Sequence, residues 1–235
     1  MDDTNPKQVL QEARLLVKSQ QYDAALEKYI WFHEHALEAD RGMAGVRLSY
    51  AISEWAELGD VYPPARIALE RVRDAKTDAL MNGTQDASLF LDVAAINGAF
   101  EQIDRTRDLF KSIAGNNRDV AKKCFPVAIE ALIDTKDYGL ARSFLTDPRS
   151  EIDQFAIPFK FSSQIKTVDQ DMFEETLVAI YVKRVNLILQ AFVGTGEESE
   201  ANNLRNYALE CIPDLQLRER IADRLYPMSS LRRIQ

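Results

Sequence analysis

The residues of this chain best suited to metal binding or acid–base chemistry are its two histidines, His33 and His35. Residues two apart on a helix point about 200° apart, so these two cannot share one metal ion. The string around them, Trp31-Phe-His-Glu-His-Ala36, also differs from the His-Glu-x-x-His pattern of zinc proteases. His35 and Glu38 could share a helix face, but no third ligand lies nearby in sequence. We therefore expect no bound metal, and interpret both histidines as partly buried or capping residues.

Other motifs with chemical potential are equally incomplete. Gly194-Thr-Gly196 precedes a predicted helix, but it lacks a third glycine, a Lys-Ser/Thr pair and a preceding strand. Cys124 follows two lysines, a setting that can lower the pKa of a thiol. No histidine is near it in sequence, so a small buried hydrophobic residue is the favoured interpretation. The 37 acidic residues form no recognisable acid–base pair. The sequence therefore predicts a protein that is not an enzyme and has no cofactor.

Composition narrows the possible partners. The chain has 235 residues with a hydrophobic content of 46%, enough for one large domain or two small ones. A net charge of −8, with acids and bases mixed along the chain, argues against a general nucleic-acid binder. The start of the chain is acidic and polar, unlike a signal peptide, and the most apolar run, residues 185–193, is too short to span a membrane. We expect a cytoplasmic protein with neither a nucleic-acid nor a membrane partner.

The first forty residues show the element around which the chain is organised. Val9, Ala13 and Leu16 form one apolar helical stripe, and a second stripe follows a short polar turn. This second stripe contains Tyr22, Ala25, Leu26, Tyr29 and Phe32. Large-x3-small-x2-large, then a turn, then Tyr-x2-Ala-x3-Tyr-x2-Phe, resembles one tetratricopeptide repeat, a helix–turn–helix unit of 34 residues. The resemblance implies an antiparallel helical hairpin.

Similar patterns recur along the chain, with small residues at matching positions: Ala25, Ala65, Thr106 and Ala141. The first two spacings exceed the 34-residue repeat and the third is close to it. We predict an all-α protein, a right-handed stack of antiparallel helical hairpins like the tetratricopeptide superhelix. Residues 5–147 would form four degenerate hairpins. Residues 148–235 would form an atypical helical cap packed on the array, as is usual for terminal repeats, within one continuous domain.

Several boundaries follow from the same stripes. A third helix is expected to run without a break through Val46 and Tyr50 and to stop at Gly59. A fifth helix would bury the stripe Phe90, Val93, Ala94 and Asn97 and close at Gly98. Residues 150–168 have no clean period and predict a short helix followed by an ordered crossing segment. The long helix at 170–193 is apolar on two faces, so we expect it to be covered on two sides.

The resemblance also implies where a partner would bind, because first helices line the groove in this family. The implied partner-binding residues are Lys7, Gln11, Arg14 and Lys18 on the first helix and Ser49, Tyr50 and Ser53, with Glu57, on the third. The fourth repeat would add Lys123, Glu130 and Asp134. Some members hold a C-terminal carboxylate with a Lys/Asn clamp, but Leu10 and Arg14 occupy those positions here, which disfavours that mode.

Two functions remain open from the sequence. The first is a non-catalytic scaffold or adaptor that binds a protein or peptide in its groove, where Lys7, Arg14 and Lys18 favour an acidic or C-terminal segment. The second is a structural module that forms a homodimer through the apolar helix at 170–193. The strings Trp31-Phe-His-Glu-His-Ala-Leu37 and Leu58-Gly-Asp-x-Tyr-Pro-Pro-Ala65 are similar to a bacterial set of such proteins. That similarity implies a bacterial cytoplasmic adaptor.

Overall fold

A computed structural model of the chain describes residues 5–161 and 169–227. These residues form helices and turns and contain no β-strand, which confirms the all-α prediction. The chain divides into two compact units, Met1–Ala131 and Leu132–Gln235. The division falls within one helix, α8, so the fourth predicted hairpin straddles the two units. Each unit is described separately below.

The first unit is a series of helices that pack on their neighbours in chain order. They are α1 (Pro6–Lys18), α2 (Tyr22–Ala39), a 3-10 turn (Arg41–Met43), α3 (Ala44–Leu48), α4 (Tyr50–Val61), α5 (Pro63–Met81), α6 (Ser88–Ala99), α7 (Ile103–Asn116) and α8 (Arg118–Asp134). α1 packs on α2, α4 on α5 and α6 on α7, while α2 packs on α4, and α6 also packs on both α4 and α5. The three predicted small positions of this unit, Ala25, Ala65 and Thr106, are all buried.

Two details of the third predicted helix are wrong. The helix is broken at Ser49, whose hydroxyl donates a 2.7 Å hydrogen bond to the carbonyl of Gly45 and so competes with regular helix bonding. Gly59 does not end the helix, because α4 continues to Val61. A Cβ on Gly59 would lie 2.9 Å from Cβ of Arg66, so this glycine lets α4 and α5 approach closely.

Several of the turns between helices share one geometry. Gln20, Glu101 and Lys136 each have positive φ (60°, 55° and 61°) in the turn after a helix. In each turn the following amide donates back to a carbonyl five residues earlier, as in Gln102 N–H to Asn97 O at 2.8 Å. This is the Schellman motif, in which glycine is usual at the left-handed position. Three longer residues therefore occupy the conformation that ordinarily favours glycine.

The second unit is organised around one long helix. Its helices are α9 (Tyr138–Phe144), α10 (Pro148–Phe161), α11 (Gln170–Gly194), α12 (Glu198–Glu210) and α13 (Leu215–Ala222). α11 packs against α9, α10 and α12, and its buried residues from Val178 to Phe192 lie on more than one face, as predicted. α11 is also long and apolar enough to cross a membrane by length and composition alone, and 56% of its most apolar window is buried within the protein.

The region before α11 differs from its prediction. Instead of a short helix, residues 148–161 form the 14-residue α10, with Pro148 in its first turn and Pro158 inside it. The remainder of the predicted crossing segment, 162–168, lies outside the described residues. Pro148 has the fixed φ that suits a first helical turn, so it can begin α10.

Candidate functional site

The predicted partner-binding residues of α1 lie on its solvent-exposed face, and one of them is already bound to a neighbour. Lys7, Gln11, Arg14 and Lys18 are all exposed. Arg14 donates from Nε and Nη2 to the carboxylate of Glu54 on α4, at 3.0 and 2.7 Å. This bidentate pair links α1 to α4, which are the first helices of successive predicted hairpins. Arg14 therefore holds two helices together, in addition to any role toward a partner.

The α4 residues continue this face, with one exception. Tyr50 and Ser53 are exposed, and with Glu54 and Glu57 they share one side of α4 at helical spacing. Ser49 is exposed as well, but it sits at the break before α4 and its hydroxyl is bound to its own backbone. Tyr50 is 68% exposed, an unusual position for a large aromatic side chain.

The first unit also contains an apolar cleft of about 330 Å³ that the sequence analysis did not predict. We call it the first-helix cleft. α6 supplies Leu91, Ala94, Ala95 and Gly98, which lie one above another at helical spacing. The other lining residues come from α3, α7 and α8: Leu48, Ile103, Thr106, Val127, Glu130 and Ala131. The volume is at the lower end of the range for small-molecule pockets.

This cleft corrects part of the predicted core stripe of α6. Phe90, Val93 and Asn97 are buried as expected, but Ala94 is only half-buried and lines the cleft. The predicted end of the helix, Gly98, is a lining residue one position before the last residue of α6. Among the residues expected from the fourth repeat, Glu130 lines the cleft, while Lys123 and Asp134 are exposed outside its lining. The missed signal was a second stripe on α6, offset by one residue from the first.

α6 also contributes to a buried charge cluster, which is centred on Asp92. Arg47 of α3 donates to both carboxylate oxygens of Asp92, at 2.6 and 2.9 Å, and Lys76 of α5 donates to one of them at 2.5 Å. These contacts hold the pKa of Asp92 below its ordinary value, against the opposing effect of burial. The cluster therefore ties α3, α5 and α6 together.

His33 completes the cluster as a neutral imidazole. Arg47 donates to the His33 backbone carbonyl at 2.7 Å and lies 3.2 Å from its Nε2, which must accept because arginine only donates. Burial, followed by the charge of Arg47, lowers the pKa of His33 to about 4. The proton is then on Nδ1, which has no hydrogen-bond partner among the described residues. Two cations already occupy the carboxylate of Asp92, so the cluster is unsuited to binding a metal ion.

The other candidate motifs have structural roles in the part of the chain that is described. His35 contacts Glu38 at 3.2 Å. Burial raises the pKa of the Cys124 thiol to about 11, which disfavours the reactive thiolate. In the glycine pair after α11, Gly196 has a φ of 80° and Gly194 packs against the ring of Tyr138. Within residues 5–161 and 169–227, no three His, Cys, Asp or Glu residues converge as a metal site would require.

Comparisons with known proteins add no family. No family model matches the chain. No curated protein matches its sequence.

Proposed function

We propose that the first unit is a tetratricopeptide-like right-handed stack of helical hairpins that serves as a non-catalytic scaffold for a protein partner. The partner contributes a peptide segment with an apolar anchor side chain, which enters the first-helix cleft. The protein acts as a cytoplasmic adaptor, without a cofactor and without a nucleic-acid or membrane partner. From α1 to α7 each helix packs against the next and several pack against the one after, and this order supports the stacked arrangement.

The observation that carries this proposal is the apolar lining of the first-helix cleft. Its α6 wall consists of two alanines and a glycine beside Leu91, which is 38% exposed. Small side chains let a partner approach the helix backbone, and an exposed leucine offers apolar area to bury. Tyr50 lies on α4, which packs against α6, and its exposed ring can stack on a bound segment.

The charge of α1 indicates which residues of the partner should lie beside its apolar anchor side chain. Lys7 and Lys18 are exposed, and no carboxylate of the described residues lies within salt-bridge distance of either. Arg14 is neutralised by Glu54, so Lys7 and Lys18 are the positive charges of α1 that no described carboxylate neutralises. A segment with acidic residues beside its apolar anchor matches that charge, and its association should weaken as salt rises.

The proposal can be tested with displayed random peptides selected on the purified protein. Selected peptides should contain an apolar residue near acidic ones. The Gly98→Trp variant should weaken their binding at least tenfold in fluorescence anisotropy, because a side chain there would occupy the cleft. A Cβ added at Gly98 meets no atom within 4 Å, so the substitution should not disturb the core.

Gly115→Trp is the matched control. Gly115 is also helical, exposed and free of neighbours within 4 Å of an added Cβ, but it is on α7 outside the cleft lining. Its affinity for the selected peptides should equal that of the unmodified protein. The proposal is wrong if no peptide is enriched, or if the two tryptophan variants bind the selected peptides equally well.

Homodimerisation through the second unit is a second candidate, supported by a separate observation. α10 and α11, which pack together, expose four large apolar side chains: Ile157, Phe161, Met172 and Ile180. Most of the apolar surface of α11 is buried within its own unit, so only its first half could form a dimer seam. Light scattering should then give twice the 26.7 kDa of one chain, and Ile180→Glu should restore the monomer. A monomer at high concentration would remove this candidate.

A further inference from the structure

A second, polar cavity lies in the first unit, on the side of α6 away from the first-helix cleft. It has a volume of about 360 Å³ and lies between α5, α6 and α7. Its lining includes Arg73 and Asp74 from α5, Val93 and Asn97 from α6, and Arg105 and Leu109 from α7. We call it the polar cavity. Its volume falls within the range of small-molecule sites.

An incompletely bonded amide lies in the wall of this cavity. Asn97 is 1% exposed, and its Nδ2 donates to the Thr106 hydroxyl at 3.1 Å. Its Oδ1 has no partner among the described residues. Turning the amide over would leave Nδ2 unpaired instead, so one polar atom of Asn97 lacks a bond in either orientation. Asn97 lines the polar cavity, whereas its partner Thr106 lines the first-helix cleft. A buried polar atom of this kind is stabilised by a ligand group or by water.

Among the charged residues that line the cavity, Arg105 is the one whose guanidinium pairs with no described carboxylate. Arg73 is buried, and it donates from Nε to Asp74 at 2.8 Å and from Nη1 to Gln102 at 3.0 Å. Asp108, at the cavity rim, is paired with Arg107 at 2.7 Å. Arg105 lines the cavity and forms no salt bridge with any described carboxylate. Both acids of the lining are therefore already neutralised, and Arg105 remains to attract an anion.

Apolar side chains complete the lining. Val93 and Leu109 are buried at its floor, and Met81 is an exposed residue at its edge. A molecule that contacts all of these groups has three parts: an acidic group near Arg105, a hydrogen-bonding group near Asn97 and an apolar body between them. Each part alone would bind weakly, but together they define one chemical class.

We propose that the polar cavity binds a small organic carboxylic acid with an apolar body and an N–H donor, as in an N-acylated apolar amino acid. The carboxylate pairs with Arg105, the N–H donates to Oδ1 of Asn97, and the apolar body packs on Val93 and Leu109. This site is independent of the scaffold function, because its lining shares no residue with the first-helix cleft.

The test is a titration of the full chain with N-acetyl-leucine, followed by NMR of the methyl groups of Val93 and Leu109. Saturable shifts of these methyls with millimolar affinity are expected for so small a ligand. N-acetyl-leucine amide, which lacks the carboxylate, should bind at least fivefold more weakly. Arg105→Gln should weaken the acid to the same extent and leave the affinity for the amide unchanged.

Arg71→Gln provides the matched control, since Arg71 is exposed on α5 and outside the lining. It should leave the affinity for the acid unchanged. Asn97→Leu removes the unpaired amide and should weaken both probes alike. The proposal is overturned if no saturable shift occurs, which would leave only water at Asn97. Equal affinity of acid and amide, or an equal effect of the Arg71 and Arg105 substitutions, would also overturn it.

Discussion

The two faces of α6 border clefts of different chemistry. One face presents Leu91, Ala94, Ala95 and Gly98 to the first-helix cleft, which is almost wholly apolar. The other presents Val93 and Asn97 to the polar cavity, where arginines and carboxylates surround an apolar floor. Small side chains on the first face favour close approach of another chain, whereas fixed polar groups on the second favour a small molecule. One twelve-residue helix can therefore separate two kinds of recognition.

The position of α6 depends on Asp92, which lies between the two faces. Its bonds to Arg47 and Lys76 connect α6 to α3 and α5, the helices that flank the two clefts. Leu48, next to Arg47 in sequence, lines the first-helix cleft, and Thr77, next to Lys76, lines the polar cavity. The two clefts thus share one electrostatic support.

The largest expected effect comes from removing that support. Asp92→Ala would leave buried Arg47 and half-buried Lys76 without their carboxylate and should destabilise the protein by roughly 3–5 kcal/mol. Urea denaturation measures the change. The control is Asp108→Ala, which breaks a pair whose acid is 60% exposed and should cost less than about 1 kcal/mol. Equal losses in the two variants would show that the clefts do not depend on the buried cluster.

The stability of the protein should also depend on pH, because the same cluster contains His33. The folded protein keeps His33 neutral with a pKa of about 4, while the unfolded chain takes up a proton near pH 6.5. The unfolded state therefore binds more protons, and stability should fall by roughly 3 kcal/mol as pH decreases from 6.5 to 4. Denaturation midpoints across this window measure it. In the His33→Gln variant the amide oxygen can still accept a hydrogen bond from Arg47, but the contribution of His33 to the slope of stability against pH should disappear. If the slope is unchanged, groups other than His33 cause the pH dependence.

A smaller change, and an increase in stability instead of a loss, is expected from a substitution in the turn after α6. Glu101 has a φ of 55°, a left-handed conformation that costs a non-glycine residue about 1 kcal/mol. Glu101→Gly should raise the free energy of unfolding by up to that amount, without affecting ligand binding at either cleft. Gly83→Ala, at a turn with a φ of 93°, should lower it. If both substitutions change stability in the same direction, the turn geometry is not the cause.

The smallest effect concerns the face of α1 and α4. Glu54→Gln weakens a partly exposed pair with Arg14 and should cost about 0.5 kcal/mol at low salt. The loss should shrink as salt is added, because exposed charges are screened. It should also free the guanidinium of Arg14 and strengthen binding of acidic peptides. Unchanged or weaker peptide binding would mean that this face does not meet the acidic flank of a partner.

The helices could be predicted from sequence where one apolar stripe dominates. The two stripes predicted in the first forty residues lie on α1 and α2, and Asn5 and Pro6 at the start of α1 agree with them. The buried face of α6 could not be predicted from the sequence, because this helix is apolar on nearly every side. Two stripes offset by one residue fit its sequence equally well. The Arg47–Asp92 pair joins residues far apart in the chain, and no local pattern indicates such a contact. Ser49 and Gly59 were misjudged because a side-chain hydrogen bond and a close helix approach decided their roles.

The most direct test of the central claim is one NMR experiment on the methyl groups of α6. The protein is titrated separately with a selected acidic–apolar peptide and with N-acetyl-leucine. The peptide should shift the Ala94 and Ala95 methyls and leave those of Val93 unmoved, because only the alanines line the first-helix cleft. Among the methyl groups of α6, N-acetyl-leucine should shift only those of Val93. If both ligands shift the same methyl groups, α6 does not separate two sites; if the peptide leaves both alanines unmoved, the scaffold function at this cleft is wrong.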